Sequence, residues 1–271
     1  MTAAVLFLLL AAAAGLVMTV VWFAVVKGAT SGWVDAVWSF LVGATGITAA
    51  LVPVIGWEGD WQRRLLIAAA AGFWSCRLGV HILRRTLQGG EDPRYARLRE
   101  EWGESWRLRL FLFLQIQAAA ALLLIATIFI AARNPAVGLQ WSDVAGIAIL
   151  AMAVIGEGVA DAQLSRFRGK TANKGKVCDQ GLWSRSRHPN YFFQWLGWCG
   201  YAVIAVGPVG DWGWGWLALA GPAFMYWLLV HVSGIPPLEA HMMRSRGAAF
   251  AAYVTRVNAF WPGLKKREKT S

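Results

Sequence analysis

The chain is broken into runs of mostly apolar residues about as long as a bilayer is thick. A helix rises about 1.5 Å per residue, so roughly 20 such residues cross a hydrocarbon core about 30 Å deep. Seven runs meet that length, at about 3–26, 33–55, 64–83, 109–132, 142–163, 190–209 and 213–232. In lipid every backbone polar group must be bonded within the structure, and a run of this length does that as a helix. The expectation is an all-α polytopic membrane protein, a seven-transmembrane-helix bundle forming one membrane domain over residues 1–271. The first run lacks a basic leading segment and is too long for a signal sequence, so it is expected to be a retained span.

Composition agrees. Of 271 residues, 57% are apolar and 15% charged, and the mean hydropathy is +0.47. Those values exclude an ordinary soluble domain and a disordered chain. The net charge of +11 would suggest nucleic acid in a soluble protein, but its distribution points elsewhere. Of 26 Lys and Arg residues, 84–109, 165–190 and 233–271 hold seven each. The alternate loops hold Lys27, Arg63, Arg64 and Arg133, and Arg77 lies inside a span. Short cation-rich loops stay in the cytoplasm, which puts the N-terminus outside and the C-terminus in the cytoplasm. The basic run Lys265–Lys269 is expected to be a solvated or lipid-facing end, and no nucleic-acid partner is expected. Ala-, Arg- and Trp-rich usage suggests a bacterial inner membrane, with membrane lipids as surroundings and a monomer as the simplest state.

Signatures for familiar chemistry are missing. There is no G-x-G-x-x-G, Gly169-Lys170-Thr171 lacks the earlier glycine of a P-loop, and neither H-E-x-x-H nor G-x-S-x-G occurs. Cys76, Cys178 and Cys199 show no metal-ligand spacing, so no metal and no disulfide is assigned.

Ionisable residues inside spans are costly and tend to mark sites. Asp35 opens the second span, Arg77 and His81 sit one turn apart on the third, and Glu157 and Asp161 one turn apart on the fifth. Each has a structural alternative. Asp35, taken to lie near an outer boundary, could cap its helix; Arg77 and His81 could pair with Asp35; Glu157 and Asp161 could reach toward Arg166 and Arg168. The Trp-rich run 212–216 reads as an interfacial belt.

The segment between the fifth and sixth spans is cationic and rich in hydrogen-bonding groups. It holds Arg166, Arg168, Lys170, Lys174, Lys176, Arg185, Arg187 and His188, then Pro189, Asn190 and Tyr191 at the start of a helix. Proline suits the first position of a helix, Arg binds phosphate bidentately, and Tyr stacks on rings. A polyphosphate ligand would satisfy all of these.

The run from Gly181 through Ser186-Arg187-His188-Pro189-Asn190-Tyr191-Phe192 resembles the core motif of the steroid 5-alpha-reductase-like membrane proteins, bacterial branch included. Gly90-Glu91-Asp92-Pro93-Arg94-Tyr95, the run Ser233–Glu239 and Ala259-Phe260-Trp261-Pro262 extend the likeness over most of the chain. The resemblance implies an NADPH-dependent membrane reductase that adds a hydride to a conjugated carbon–carbon double bond of a lipophilic small-molecule substrate, with 1–132 on the substrate side and 142–271 binding the cofactor. Cofactor-binding residues implied are Glu157, Asp161, Arg166, Arg168, Lys176, Arg187, His188, Asn190, Tyr191 and Glu239. Glu157 stands where the steroid enzymes have Asn, and Phe193-Gln194 where many members have Gly-Glu.

At the reacting end the likeness thins, because the Gln-Glu pair and the Tyr that hold the carbonyl of steroids are missing from the second and third spans. The candidates for the catalytic donor are Asp35, His81 and Tyr95. Burial would keep an aspartic acid protonated and able to donate to the oxyanion that develops. The two clusters are expected to converge on one cavity. R-H-P-N-Y also occurs in membrane methyltransferases that use S-adenosylmethionine, which is the alternative, and a lipid-binding or scaffold protein is a third.

Overall fold

A computed structural model describes residues 1–89, 92–208 and 210–264, so Gly90, Glu91 and the basic run from Lys265 lie outside the described residues. Those residues hold helices and no strand. The helices are α1 (Ala3–Val26), α2 (Gly32–Leu51), α3 (Trp61–Leu87), α4 (Pro93–Trp102), α5 (Trp106–Ala132), α6 (Trp141–Arg168), α7 (Pro189–Val206), α8 (Ala220–Trp227) and α9 (Ile235–Arg256). A 3-10 segment, Gly213–Leu219, leads into α8, and a π-helical turn, Leu228–Val232, follows it.

Local chemistry sets the boundaries. The Thr2 hydroxyl accepts from Val5 N at the start of α1, and Asp60 caps α3 by accepting from the backbone N–H of Gln62 and Arg63. Asp92 caps α4, whose first residue is Pro93; Pro189 opens α7 in the same way. α9 is broken at Gly247, whose φ of 48° suits glycine.

Six stretches are long and apolar enough to cross a membrane, within 3–26, 32–51, 61–87, 94–132, 141–168 and 213–256. α7 is not among them: its first turns carry Asn190, Tyr191 and Gln194, which lower its hydropathy. α4 and α9 are helices that the seven-run reading omits. α2 stops at Leu51 rather than near 55, and α6 continues to Arg168.

The chain forms two compact units, Met1–Ile147 with Tyr201–Gly221, and Ala148–Gly200 with Pro222–Ser271.

In the first unit α2 and α3 approach closely on small residues. A Cβ on Gly43 would lie 2.1 Å from Ser75 Oγ, and Ser75 Oγ donates to Ser39 O at 2.9 Å. Small residues let helix backbones come this near and gain packing that lipid cannot supply. The core beside them is Met18, Val34, Leu41, Leu110 and Leu114.

The end of this unit formed by 51–63 and 132–143 is held by arginines. Arg63, 0% exposed, donates through Nε and Nη2 to the Asp143 carboxylate at 2.8 and 2.9 Å, and through Nη1 and Nη2 to the carbonyls of Asn134, Ala136 and Gly138. Arg64 donates to Ala50 O and Leu51 O, and Arg133 to Ala49 O and Val52 O. The Gly138 N–H, with those of Gln62 and Arg63, holds the Asp60 carboxyl below its ordinary range.

At the opposite end, Asp35 of α2 meets the segment after α3, and the Trp22 indole of α1 donates to Arg107 O at 2.8 Å. This corrects two placements. Asp35 and Lys27 share an end with the cation-rich segment 84–109, because α1 and α2 turn there. Lys27 thus joins the seven cations of that segment instead of opposing them.

Candidate functional site

Two polar clusters hold most of the residues singled out from the sequence. In the first unit, Asp35 accepts through Oδ1 from the Tyr95 hydroxyl at 3.0 Å and pairs through Oδ2 with Arg94. Arg94 also donates to both oxygens of Asp92, at 3.0 and 2.9 Å. Gln117 Nε2 donates to the Tyr95 oxygen at 3.3 Å, and the Trp38 indole N–H donates to Gln117 O. Tyr95 is buried and Asp35 partly so. In this arrangement the Asp35 carboxylate acts as a hydrogen-bond and ion-pair acceptor. The grouping brings Asp35 and Tyr95 together. His81, by contrast, is exposed on α3 rather than buried in the bundle. Arg94, Asp92 and Gln117 were not singled out beforehand. Arg94 and Asp92 lie within the motif that carried the resemblance, but Gln117 sits in an apolar run with no signal of its own.

The second cluster occupies the second unit. The segment before α7 is docked on both sides. Leu182 N donates to Gln163 Oε1 and the Trp183 indole to Ala160 O, both at 2.9 Å, which fixes the segment to α6. Ser186 Oγ donates to Phe260 O at 2.8 Å, Arg187 N to Asn258 O at 2.8 Å and Gly263 N to Arg185 O at 2.9 Å, which fixes it to the residues after α9. The closing motif Ala259–Pro262 is thus the partner of the loop motif.

Within this frame Arg187 is committed. Its Nε and Nη2 donate to Glu239 Oε1 and Oε2 at 2.7 and 3.1 Å, and its Nη1 donates to the carbonyls of Val254 and Val257. Expected to hold a phosphate, it instead clamps α9 to the loop, and Glu239 accepts on the other side of the same clamp. Glu239 also receives His188 Nε2 at 2.9 Å. With Arg187 already donating to Glu239, the carboxylate is the acceptor, so the neutral imidazole carries its hydrogen on Nε2 and leaves the Nδ1 lone pair bare. Nδ1 is buried and has no hydrogen-bond partner among the described residues. Burial lowers the His188 pKa from its ordinary value, against the opposing pull of Glu239.

Tyr191 stacks on His188, with ring centroids 5.4 Å apart and planes 12° from parallel. Asn190 Nδ2 donates to Asp161 Oδ1 at 3.4 Å, linking α7 to α6. Glu157 is buried one turn earlier on α6, while Arg166, Arg168 and Lys176 are exposed at and beyond its end. Those residues suit a nucleotide: exposed guanidinium and ammonium groups for phosphates, an aromatic ring and a carboxamide at the start of a helix, and a bare imidazole nitrogen able to accept from an N–H or O–H.

A family model described as a protein of unknown function, DUF1295, matches residues 21–257, and the chain belongs to that family. No curated protein and no solved structure matches it.

Proposed function

We propose that this is an integral-membrane reductase of the steroid 5-alpha-reductase-like kind, binding NADPH in its second unit and reducing a conjugated carbon–carbon double bond of a lipophilic steroid-, terpenoid- or lipid-like substrate. The observation that carries the proposal is the Asp161–Asn190 link between α6 and α7, with exposed Arg166, Arg168 and Lys176 on the segment that leads from one to the other.

When bound, NADPH supplies a hydride. Arg166, Arg168 and Lys176 would hold its phosphates, and an Arg-rich site favours NADPH over NADH through the additional 2′-phosphate. Asn190 and Tyr191 would orient the base and sugar portion, and His188 Nδ1 would accept a hydrogen bond. Arg187 and Glu239 act through His188 by fixing its tautomer and ring plane. In the first unit, reduction of an enone develops negative charge on the carbonyl oxygen, which a positioned hydroxyl stabilises. Tyr95 is the donor we assign: its one hydroxyl proton, accepted by Asp35 in the absence of substrate, would turn to the carbonyl oxygen on binding, while Asp35 stays paired with Arg94.

The proposed topology has seven spans including α7, the N-terminus outside and the C-terminus cytoplasmic, in a bacterial inner membrane, with the protein a monomer. It is supported by the fate of the cations at the opposite end. Arg63 is paired with Asp143, and Arg64 and Arg133 are tied to backbone carbonyls within the fold, so the few cations of that end are engaged in structure, against the seven in each cation-rich segment.

The test is transfer of label. Solubilised protein is incubated with NADPH carrying deuterium at nicotinamide C4 and a panel of α,β-unsaturated steroids and terpenoids. The proposal expects deuterium in a reduced product, and Tyr95→Phe lowering turnover more than NADPH affinity. Methyl transfer from S-adenosylmethionine with no NADPH binding would replace the proposal with the methyltransferase alternative.

A further inference from the structure

The arginines at the Asp35 end of the first unit divide into two groups. Arg94 pairs with Asp35 and Asp92, Arg85 with Asp92, and Arg97 with Glu101. Arg99 and Arg107 have no acidic partner among the described residues, although Glu100 and Glu104 lie close by in sequence. Both guanidinium groups instead lie over the Trp106 ring, at 4.3 and 5.8 Å from its centroid. Two like charges gathered on one indole, without a carboxylate between them, call for an anion from elsewhere.

A small, partly open hollow lies beside Arg99, with Arg99 and Ser31 as polar lining and Val25, Tyr95, Trp102, Trp106 and Leu110 as walls; Arg107 stands outside that lining, on the Trp106 ring. Ser31 precedes α2 as its N-cap residue, yet its side chain makes no capping bond. The residue is 1% exposed, and its Oγ has no hydrogen-bond partner. A buried hydroxyl without a partner is uncommon, and here it lines a cavity that also holds an arginine. The Tyr95 hydroxyl is already engaged by Asp35 and Gln117, so Tyr95 adds only wall.

We propose that the mouth of this hollow binds the phosphate headgroup of an anionic phospholipid, with Arg99 of its lining and Arg107 on the Trp106 rim as the cations and the Ser31 hydroxyl as the buried donor. The lipid is favoured over free phosphate by what flanks the cations. Phe23, Leu108 and Leu112 are 56%, 62% and 51% exposed on α1 and α5, an apolar surface suited to acyl chains. The Trp22 bond to Arg107 O holds that backbone against the end of α1, and Trp102 and Trp106 have the amphipathic character found where membrane meets water. The site lies wholly in the first unit; Tyr95, the donor assigned above, lines the same hollow, and lipid binding is read here without turnover, so failure of this proposal is distinguishable from failure of the reductase reading.

The test titrates full-length protein in neutral detergent with dioctanoyl phosphatidylglycerol, dioctanoyl phosphatidylcholine and inorganic phosphate, reading bound lipid by native mass spectrometry and the melting temperature in parallel. Phosphatidylglycerol should bind about tenfold or more tighter than phosphatidylcholine, as expected when paired arginines meet a net anionic head. Arg99→Gln with Arg107→Gln should bring the two lipids to within about twofold, and Ser31→Ala should weaken phosphatidylglycerol by about threefold or more. Should the double variant fail to fold, Arg99→Gln alone, at an exposed residue, carries the test. Equal binding of the two lipids, an undiminished preference in the variants, or inorganic phosphate matching phosphatidylglycerol would each overturn the proposal.

Discussion

Arg187 separates two accounts of the loop before α7, because a phosphate ligand and a structural clamp fail differently when removed. Arg187→Gln deletes a bidentate pair with Glu239, whose partners are 10% and 21% exposed, and the bonds to Val254 O and Val257 O. Breaking a fully buried pair costs about 3–5 kcal/mol, and the partial exposure of Glu239 reduces that to about 2–3 kcal/mol. The orphaned carbonyls add about 0.5–1 kcal/mol each where water does not reach them. The total is about 3–5 kcal/mol of local stability in the second unit, roughly 150- to 5,000-fold in opening equilibrium. Hydrogen exchange in detergent reads this directly, as faster exchange across 181–188 and 254–260 with the first unit unchanged. A double-mutant cycle with Glu239→Gln should give a coupling of about 1–3 kcal/mol. The reasoning is refuted if Arg187→Gln exchanges like the parent yet loses NADPH binding about tenfold, as a residue whose function is to grip phosphate would.

Arg63→Met should destabilise the first unit by about 3–5 kcal/mol, since it strands the Asp143 carboxylate and three carbonyls, and Arg63→Met with Asp143→Leu should recover part of the loss; chemical denaturation checks both. His188 gives a pH dependence with a fixed sign. Its pKa in the fold lies below the ordinary 6.5, so the unfolded chain binds the proton more readily; the contribution is fully present above 6.5 and is lost as pH falls from there toward the lowered value. Melting curves should fall more steeply below 6.5 for the parent than for His188→Gln, and parallel curves would contradict the assignment. Reporter fusions at Arg133 and Lys176 should read outside and cytoplasm respectively, and the reverse would invert the topology.

The helical class and most helix positions were legible because lipid leaves the backbone little choice, and apolar length alone announces a span. The second cluster was legible as a motif: His188, Asn190 and Tyr191 stand together, and the closing Ala259–Pro262 run supplies the loop's partners. The roles of Arg187 and Glu239 were not legible. A cation in a basic loop gives no sign of whether it faces a ligand or a carboxylate 52 residues away. Nor was the Arg63–Asp143 pair, since both residues sit at span edges where solvation is the ordinary expectation. Asp35 was misplaced for a different reason, as following the chain from α1 to α2 puts it beside the segment 84–109. His81, expected to face the bundle interior, is exposed on α3.

The central claim is that the Asn190 end of α7, with the cations at and beyond the end of α6, binds NADPH. Calorimetric titration of the solubilised full-length protein with NADPH, NADH and S-adenosylmethionine tests it most directly. The account predicts that NADPH binds more tightly than NADH, and that Asn190→Ala and Arg168→Ala each weaken it by about tenfold, near the 1.4 kcal/mol worth of one charge-assisted contact. Binding of S-adenosylmethionine with none of NADPH, or NADPH binding that both variants leave intact, would contradict it.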